Sequence, residues 1–324
     1  MKKKLISGVK PTGRPHIGNY FGAMRQFVEM QDQFDSTIFI ADFHAFTIVQ
    51  NKEIMENYTI ELATDYLAIG LDPKKVTLFK QSDTPEVTTL GWIFNCITTM
   101  PYLMRAHAYK DAEAKNKEIN VGVFDYPLLM AADILVHDIE IVPVGEDQRQ
   151  HVEYARDTAE KFNRIFGETF ILPKAHILDS VKTIPGTDGR KMSKSYGNTI
   201  QLFATTDEIK KAVMSIPTDS IAVKDPKPEY KKDTVYLLHE LFATGDELEK
   251  ITDGYKNGGL SYKESKDTLI KNIDAFISPM RDKRAELAKD KDYVRGVLAD
   301  GAKTARKAVI NKMEEVYKKI GFSI

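Results

Sequence analysis

Two short segments of this chain carry the side chains best suited to chemistry. Lys191-Met-Ser-Lys-Ser195 holds two lysines and two serines in five residues, with Gly186, Gly189 and Gly197 around them. Glycines at that density keep a loop mobile. Lys191 and Lys194 can then settle two ammonium groups on a polyphosphate as point charges. Taken alone, such a loop reads equally as a solvated surface segment. The second segment is Lys10-Pro-Thr-Gly-Arg-Pro-His-Ile-Gly-Asn19, which follows the apolar run Leu5–Val9 and opens a helix. A strand, a glycine turn and a helix N-terminus turn backbone N–H groups toward an anion. Gly18 allows close approach to the backbone. His16 stands between the turn and Gly18 as a further donor, and Asn19 adds an amide.

Together the segments suit nucleotide activation, in which a carboxylate attacks the α-phosphate of ATP and pyrophosphate leaves. That step needs positioning and positive charge more than covalent help. No Gly-x-x-x-x-Gly-Lys-Ser/Thr loop is present, which excludes a P-loop ATPase. No acidic cluster reads as a metal cage. Mg²⁺ is therefore expected to arrive with ATP, with no tightly bound protein metal.

The elements that must hold these segments follow from hydrophobic patterning. Leu5–Val9, Thr37–Ala41, Val76–Phe79 and Ile141–Val144 are apolar runs suited to buried parallel strands. Tyr20, Met24, Phe27 and Val28 repeat at helical spacing, as do Val152, Ala155, Ala159, Phe162 and Ile165. The alternation predicts an α/β fold with a doubly wound parallel, Rossmann-like sheet. Residues 50–140 are mainly helical and read as an insertion. After Lys191 the strand signals stop, and Thr206–Met214, Leu237–Phe242 and the stripe Val309, Met313, Val316, Tyr317, Ile320 read as helices. The expected organisation is a nucleotide-binding domain over 1–190 and an all-helical C-terminal domain, with its terminal helix, over 191–324.

Composition narrows the class. The chain has 324 residues, 42% hydrophobic and 29% charged, with a formal net charge of -1. Two soluble domains fit that length, and no overall basic field advertises nucleic acid. The single cysteine, Cys96, excludes a disulfide framework, and its apolar surroundings predict a buried structural thiol. No run reads as a signal peptide or membrane span, so a cytoplasmic location is expected. His44, His107, His137 and His151, taken singly, read as structural histidines.

Pro15-His-Ile-Gly-Asn19 and Lys191-Met-Ser-Lys-Ser195 resemble, in order and separation, the two signatures of class I aminoacyl-tRNA synthetases. Within that class the chain resembles the bacterial tryptophanyl-tRNA synthetases. The likeness is carried by Ser7–Gly13, Gly18–Ala23, Tyr126–Ile134 and Val142–Gln148, and extends from His151 to Asn163. The resemblance implies an ATP-dependent tryptophan–tRNA ligase that forms tryptophanyl-adenylate and transfers tryptophan to tRNA(Trp). It assigns Lys10, Pro11, Thr12, Gly18, Asn19, Gly145, Glu146, Asp147 and Ile184 to ATP, with His16 as a catalytic group. Lys191, Met192, Ser193, Lys194 and Ser195 become the triphosphate loop, in which Lys191, Lys194 and Ser195 are catalytic. Asp133 becomes the acceptor of the indole N–H. Tyr126 and Gln148 lie at the α-amino end, Met130, Ile134, Val142 and Val144 form the indole walls, and His44 joins the same site. The resemblance further implies a homodimer through the insertion and an anticodon-reading helical domain. The chain departs from the pattern at Ile6, Lys10 and Phe43, where phenylalanine, glutamine and glutamine are frequent.

Asp133 agrees with this from its own setting. It is one carboxylate inside the apolar run Leu128–Val136, and a buried carboxylate needs partners. A salt bridge or a cap would satisfy it, and so would an indole N–H. Phenylalanine would leave it unpaired, whereas the tyrosine hydroxyl would not. The tail holds Lys303, Arg306, Lys307, Lys312, Lys318 and Lys319, a basic face that reads as solvated or as an RNA contact. Arg105, His107 and Lys110 are weaker candidates for the acceptor arm.

Overall fold

The computed structural model describes residues 2–106, 109–110, 113, 119–145, 148–177 and 183–323. The chain divides into two compact units that interleave along the sequence. Unit 1 is Met1–Gly13, Gln26–Ser180 and Asp290–Ile324; unit 2 is Arg14–Arg25 and Val181–Lys289.

Unit 1 is built on a five-stranded parallel sheet. Its strands are β1 (Lys4–Val9), β2 (Asp35–Ile40), β3 (Val76–Lys80), β4 (Ile141–Val144) and β5 (Lys174–Ile177), in the order β3-β2-β1-β4-β5. β1 and β2 pair over six residues, from Lys4↔Asp35 to Val9↔Ile40. β1 and β4 pair only at Leu5↔Ile141. The strand order reverses between these two strands, so their carboxyl ends flank the place where open α/β sheets bind ligands. The sheet agrees with the doubly wound reading, and β3 shows that residues 50–140 include a sheet strand as well as helices. β5 was not anticipated, because a four-residue strand with two polar side chains carries little periodicity.

The helices, in chain order, are α1 (Ile17–Asn19), α2 (Arg25–Met30), α3 (Asp42–Phe46), α4 (Lys52–Ala68), α5 (Glu86–Ile97), α6 (Met100–Leu103), α7 (Val121–Leu135), α8 (Arg149–Phe166), α9 (Thr206–Met214), α10 (Thr234–Phe242), α11 (Gly245–Asn257), α12 (Tyr262–Leu287) and α13 (Lys291–Ile320). α5 packs on α7 and buries Val87, Leu90, Ile93 and Phe94. Cys96 lies on its opposite face, exposed, as does Trp92. The expectation of a buried thiol is therefore corrected: helical spacing puts Trp92 and Cys96, four residues apart, on the exposed face while Ile93 and Phe94 turn inward.

The terminal helix α13 belongs to unit 1. It lies against the edge strand β3, so that N–H and C=O groups there are not left open to another chain. Gly301 permits this approach, since a Cβ there would stand 1.9 Å from the Leu78 carbonyl oxygen. Val309, Met313 and Val316 enter the core, as the stripe predicts. Lys312, counted in the sequence with the basic face, is buried instead. Its ammonium donates to the Thr169 carbonyl at 3.0 Å and pairs with Asp138 at 2.8 Å and Glu315 at 2.7 Å. Three acceptors make this buried charge tolerable. Arg306 pairs with Glu86 and Lys303 with Asp300, both at 3.0 Å.

Unit 2 is helical. α9 and α12 open with capping boxes, Thr205/Glu208 and Ser261/Glu264. Its aromatic groups cluster, with Phe21 stacked on Phe276 at 5.6 Å and Tyr230 edge-on to Tyr236 at 4.7 Å. No helix among the described residues is long and apolar enough to cross a membrane.

Candidate functional site

In unit 1 the carboxyl ends of the strands and one helix bring polar groups together. β2 runs into α3 with His44, β3 runs into Gln81, and α7 carries Asp133. Asp133 is 3% exposed, His44 5% and Gln81 1%. The His44 Nε2 lies 2.9 Å from Asp133 Oδ2. A carboxylate only accepts, so Nε2 carries the hydrogen. The Gln81 side-chain amide donates to both Asp133 oxygens, at 2.9 and 2.8 Å. Its own oxygen accepts the His44 backbone N–H at 3.3 Å. Asp42, bonded to the backbone N–H and hydroxyl of Ser82, holds the start of α3 against the Gln81 turn. Burial raises the Asp133 pKa, and the bonds from His44 and Gln81 oppose it.

In the core of the same unit Ile134, Val142 and Val144 are buried and Met130 is partly buried. Tyr126, about two helical turns before Asp133, stacks on His151 with a 2.5 Å contact from its hydroxyl to Nε2. Lys10, at the end of β1, sets its ammonium 5.2 Å from the Tyr126 ring centre. Lost hydration lowers its pKa. Pro11 is buried, while Thr12, Gly145 and Gln148 are exposed, the last at the start of α8. Ile6, where the resembling pattern has an aromatic ring, is in the core.

Unit 2 joins the other two signatures. His16 is the N-cap of α1: its Nδ1 accepts the Asn19 N–H at 3.3 Å, and its own N–H donates to Asn19 Oδ1 at 3.1 Å. The chain then makes a π turn at Tyr20–Met24. Ile17 N–H bonds the Ile200 carbonyl at 3.0 Å and Leu202 N–H the Pro15 carbonyl at 2.9 Å, which ties the Pro15–Asn19 turn to the chain that follows the lysine loop. A Cβ on Gly18 would meet His16 Nδ1 at 2.9 Å and Met192 Cβ at 3.4 Å. Burial, then the Lys194 charge, pushes the His16 pKa down to about 4.

The Lys191–Ser195 loop exposes Lys191, Lys194 and Ser195 while Met192 and Ile184 are buried. Asn198, 2% exposed, is its anchor. Its side chain accepts the Ser193 N–H at 2.8 Å and donates to the Lys191 carbonyl at 3.2 Å and to Asp188 at 2.6 Å. Gly186 makes room for it, since a Cβ there would lie 2.2 Å from the Asn198 amide nitrogen. Gly186 thus serves close approach rather than the mobility read from sequence. Asn198, then Arg190, holds the Asp188 carboxyl below its ordinary range.

Most expected site residues fall into these two groups. Glu146, Asp147 and His107 lie outside the described residues. Arg105 stands over the Tyr102 ring at 5.3 Å, apart from either group. Sequence reasoning missed Gln81 and Asn198. The signal for Gln81 was its place directly after a parallel strand; for Asn198 there was only its nearness to the lysine loop.

Residues 2–278 match the family model described as tRNA synthetases class I (W and Y). The chain is 46% identical to the tryptophan–tRNA ligase of Rhodopirellula baltica, covering 98% of this chain and 99% of that one. It is also 46% identical to that of Fusobacterium nucleatum, covering 98% of each. Among solved structures it is similar to the Campylobacter jejuni tryptophanyl-tRNA synthetase complexed with ADP and tryptophan, with a TM-score of 0.93, 42% identity and coverage of 98% and 99%. A carboxylate buried in the strand-end group, a lysine loop followed by a segment tied to the histidine cap, and near full-length likeness agree: the chain belongs to the tryptophan–tRNA ligases of the class I tRNA synthetase family.

Proposed function

We propose that the two groups of residues divide the labour of tryptophan activation. Unit 1 holds the amino acid. Asp133, with His44 bonded to it, accepts the indole N–H, Met130, Ile134, Val142 and Val144 enclose the ring, and Tyr126 and Gln148 bind at the polar end. Unit 2 holds the triphosphate of ATP, which brings Mg²⁺ with it. Backbone N–H groups near Gly18 and the ammonium groups of Lys191 and Lys194 neutralise charge building on the phosphoryl oxygens as pyrophosphate leaves. His16, kept neutral at physiological pH, offers Nε2 to the same oxygens without adding a fixed charge. Lys10, Pro11, Thr12, Asn19, Gly145 and Ile184 complete the nucleotide contacts, and Ser193 and Ser195 add hydroxyl donors. The adenylate then passes tryptophan to tRNA(Trp), read by the helices of unit 2, in the cytoplasm.

The observation that carries this reading is the buried acceptor Asp133 among apolar side chains. The test is ATP–pyrophosphate exchange with each of the twenty amino acids, without tRNA. Exchange with tryptophan alone is expected; exchange with tyrosine would overturn the assignment of Asp133. The exposed apolar residues Trp92, Met100, Met104 and Val121 of the insertion support a homodimer through that region. Sedimentation at the mass of one chain at micromolar concentration would remove that part.

A further inference from the structure

The side chains that touch Asp133 carry a consequence for substrate choice. A carboxylate has about four lone-pair positions. Gln81 occupies the inner position of each oxygen, and His44 takes a second position on Oδ2. Among the described residues one position, on Oδ1, remains. The direction of the Gln81 amide is fixed by its neighbours. Its oxygen receives the His44 N–H, and a flipped amide would set that oxygen against the carboxylate and two donors against each other. Donors on both oxygens favour the ionised acid, against the burial that favours its protonation.

We infer that Gln81 is a specificity-determining positioning residue: its amide holds Asp133 as an acceptor with one position left for a single N–H donor. The inference rests on the tryptophan reading above. Without that amide, a carboxyl group this deeply buried takes up a proton more readily. It then presents a donor where the indole N–H needs an acceptor. Gln81 itself need not touch tryptophan; it acts through Asp133.

The test uses the full-length protein and two variants of similar side-chain length. Gln81→Met removes both polar atoms, and Gln81→Glu keeps an acceptor for the His44 N–H but loses the donor. Pyrophosphate exchange is measured with tryptophan and with 3-benzothienylalanine, a near-isostere in which sulfur replaces the indole N–H. In the unmodified protein the preference for tryptophan reports the N–H contact. In both variants the KM for tryptophan is expected to rise at least tenfold with kcat changed only a few-fold, and the preference over the sulfur analogue to fall at least tenfold. A preference that stays constant while KM and kcat worsen together would reduce Gln81 to a packing role and overturn the inference. Unmodified protein that exchanges with no tryptophan would instead remove the reading on which it rests. One folded variant suffices, and melting temperature identifies it.

Discussion

The two groups of residues solve opposite problems. In unit 1 the polar atoms are buried and bonded to one another: Asp133, His44 and Gln81 form a fixed set that, among the described residues, leaves one acceptor position on Asp133. In unit 2 the cations stand in solvent, and what is buried is the frame that carries them, His16, Met192 and Asn198. A fixed, desolvated acceptor discriminates by shape and by hydrogen-bond polarity, because a mismatched ligand leaves a buried group unpaired. Exposed lysines do little discriminating, since any polyphosphate attracts them. Their contribution grows where charge develops during reaction. Selection and acceleration are thus assigned to differently constructed parts of one chain.

The comparison breaks most sharply at the lysines. Replacing Lys191 and Lys194 together by alanine should lower exchange by about 10²–10³ per missing cation at most. Tryptophan binding, measured by equilibrium dialysis, should stay within a factor of about two, the scale of a remote exposed change. Equal loss of both would show that the two parts do not divide the work.

A smaller effect is expected at the frame. Asn198→Ala removes three hydrogen bonds from the backbone of the lysine loop and its Asp188 flank while leaving both ammonium groups in place. Loss of buried hydrogen bonds of this kind predicts about a tenfold rise in KM for ATP. Tryptophan KM should not change. An unchanged KM for ATP would mean that the loop needs no anchor, and the contrast between exposed cations and a buried frame would lose its content.

How far the sequence foretold this differs between the two parts. The lysine loop and the Pro15–Asn19 turn are local, so their residue types and spacing announce them. Four of the five strands were also plain, because parallel strands buried on both faces are continuous apolar runs. The bonds of Asp133 were not legible. They join α7 to the ends of two strands, 52 and 89 residues away, and no local pattern encodes such pairings. The terminal helix was read correctly as a helix with the right apolar stripe, but grouped with its neighbours in sequence. What assigns it to unit 1 is Gly301 against Leu78, a contact between distant segments. Cys96 fails for a related reason: a run that is apolar but for Asn95 conceals which helical face turns inward.

The smallest expected effect concerns acid stability. His16 and His239 in unit 2, and His137 in unit 1, are held down to about pKa 4, in each case chiefly by burial. Lys194 and Lys4 add to this at His16 and His137, whereas the Ser265 carbonyl opposes it at His239. In the unfolded chain these imidazoles bind protons near pH 6.5. Between pH 6.5 and 4 the unfolded state therefore binds more protons than the folded one, so stability falls as pH falls. Below about pH 4 both states are protonated at these positions, and their contribution levels off. The upper part of the window, above about pH 4.5, isolates the effect from most carboxyl titration. Urea unfolding followed by the fluorescence of Trp92, the single tryptophan and a member of unit 1, reads the His137 part. Circular dichroism at 222 nm includes the helices of unit 2, with its two histidines. The slope against pH should be steeper by circular dichroism than by fluorescence if the units unfold separately. His239→Gln should flatten only the former. Identical slopes that both flatten in that variant would mean that the two units unfold as one, and that they share stability despite their different construction.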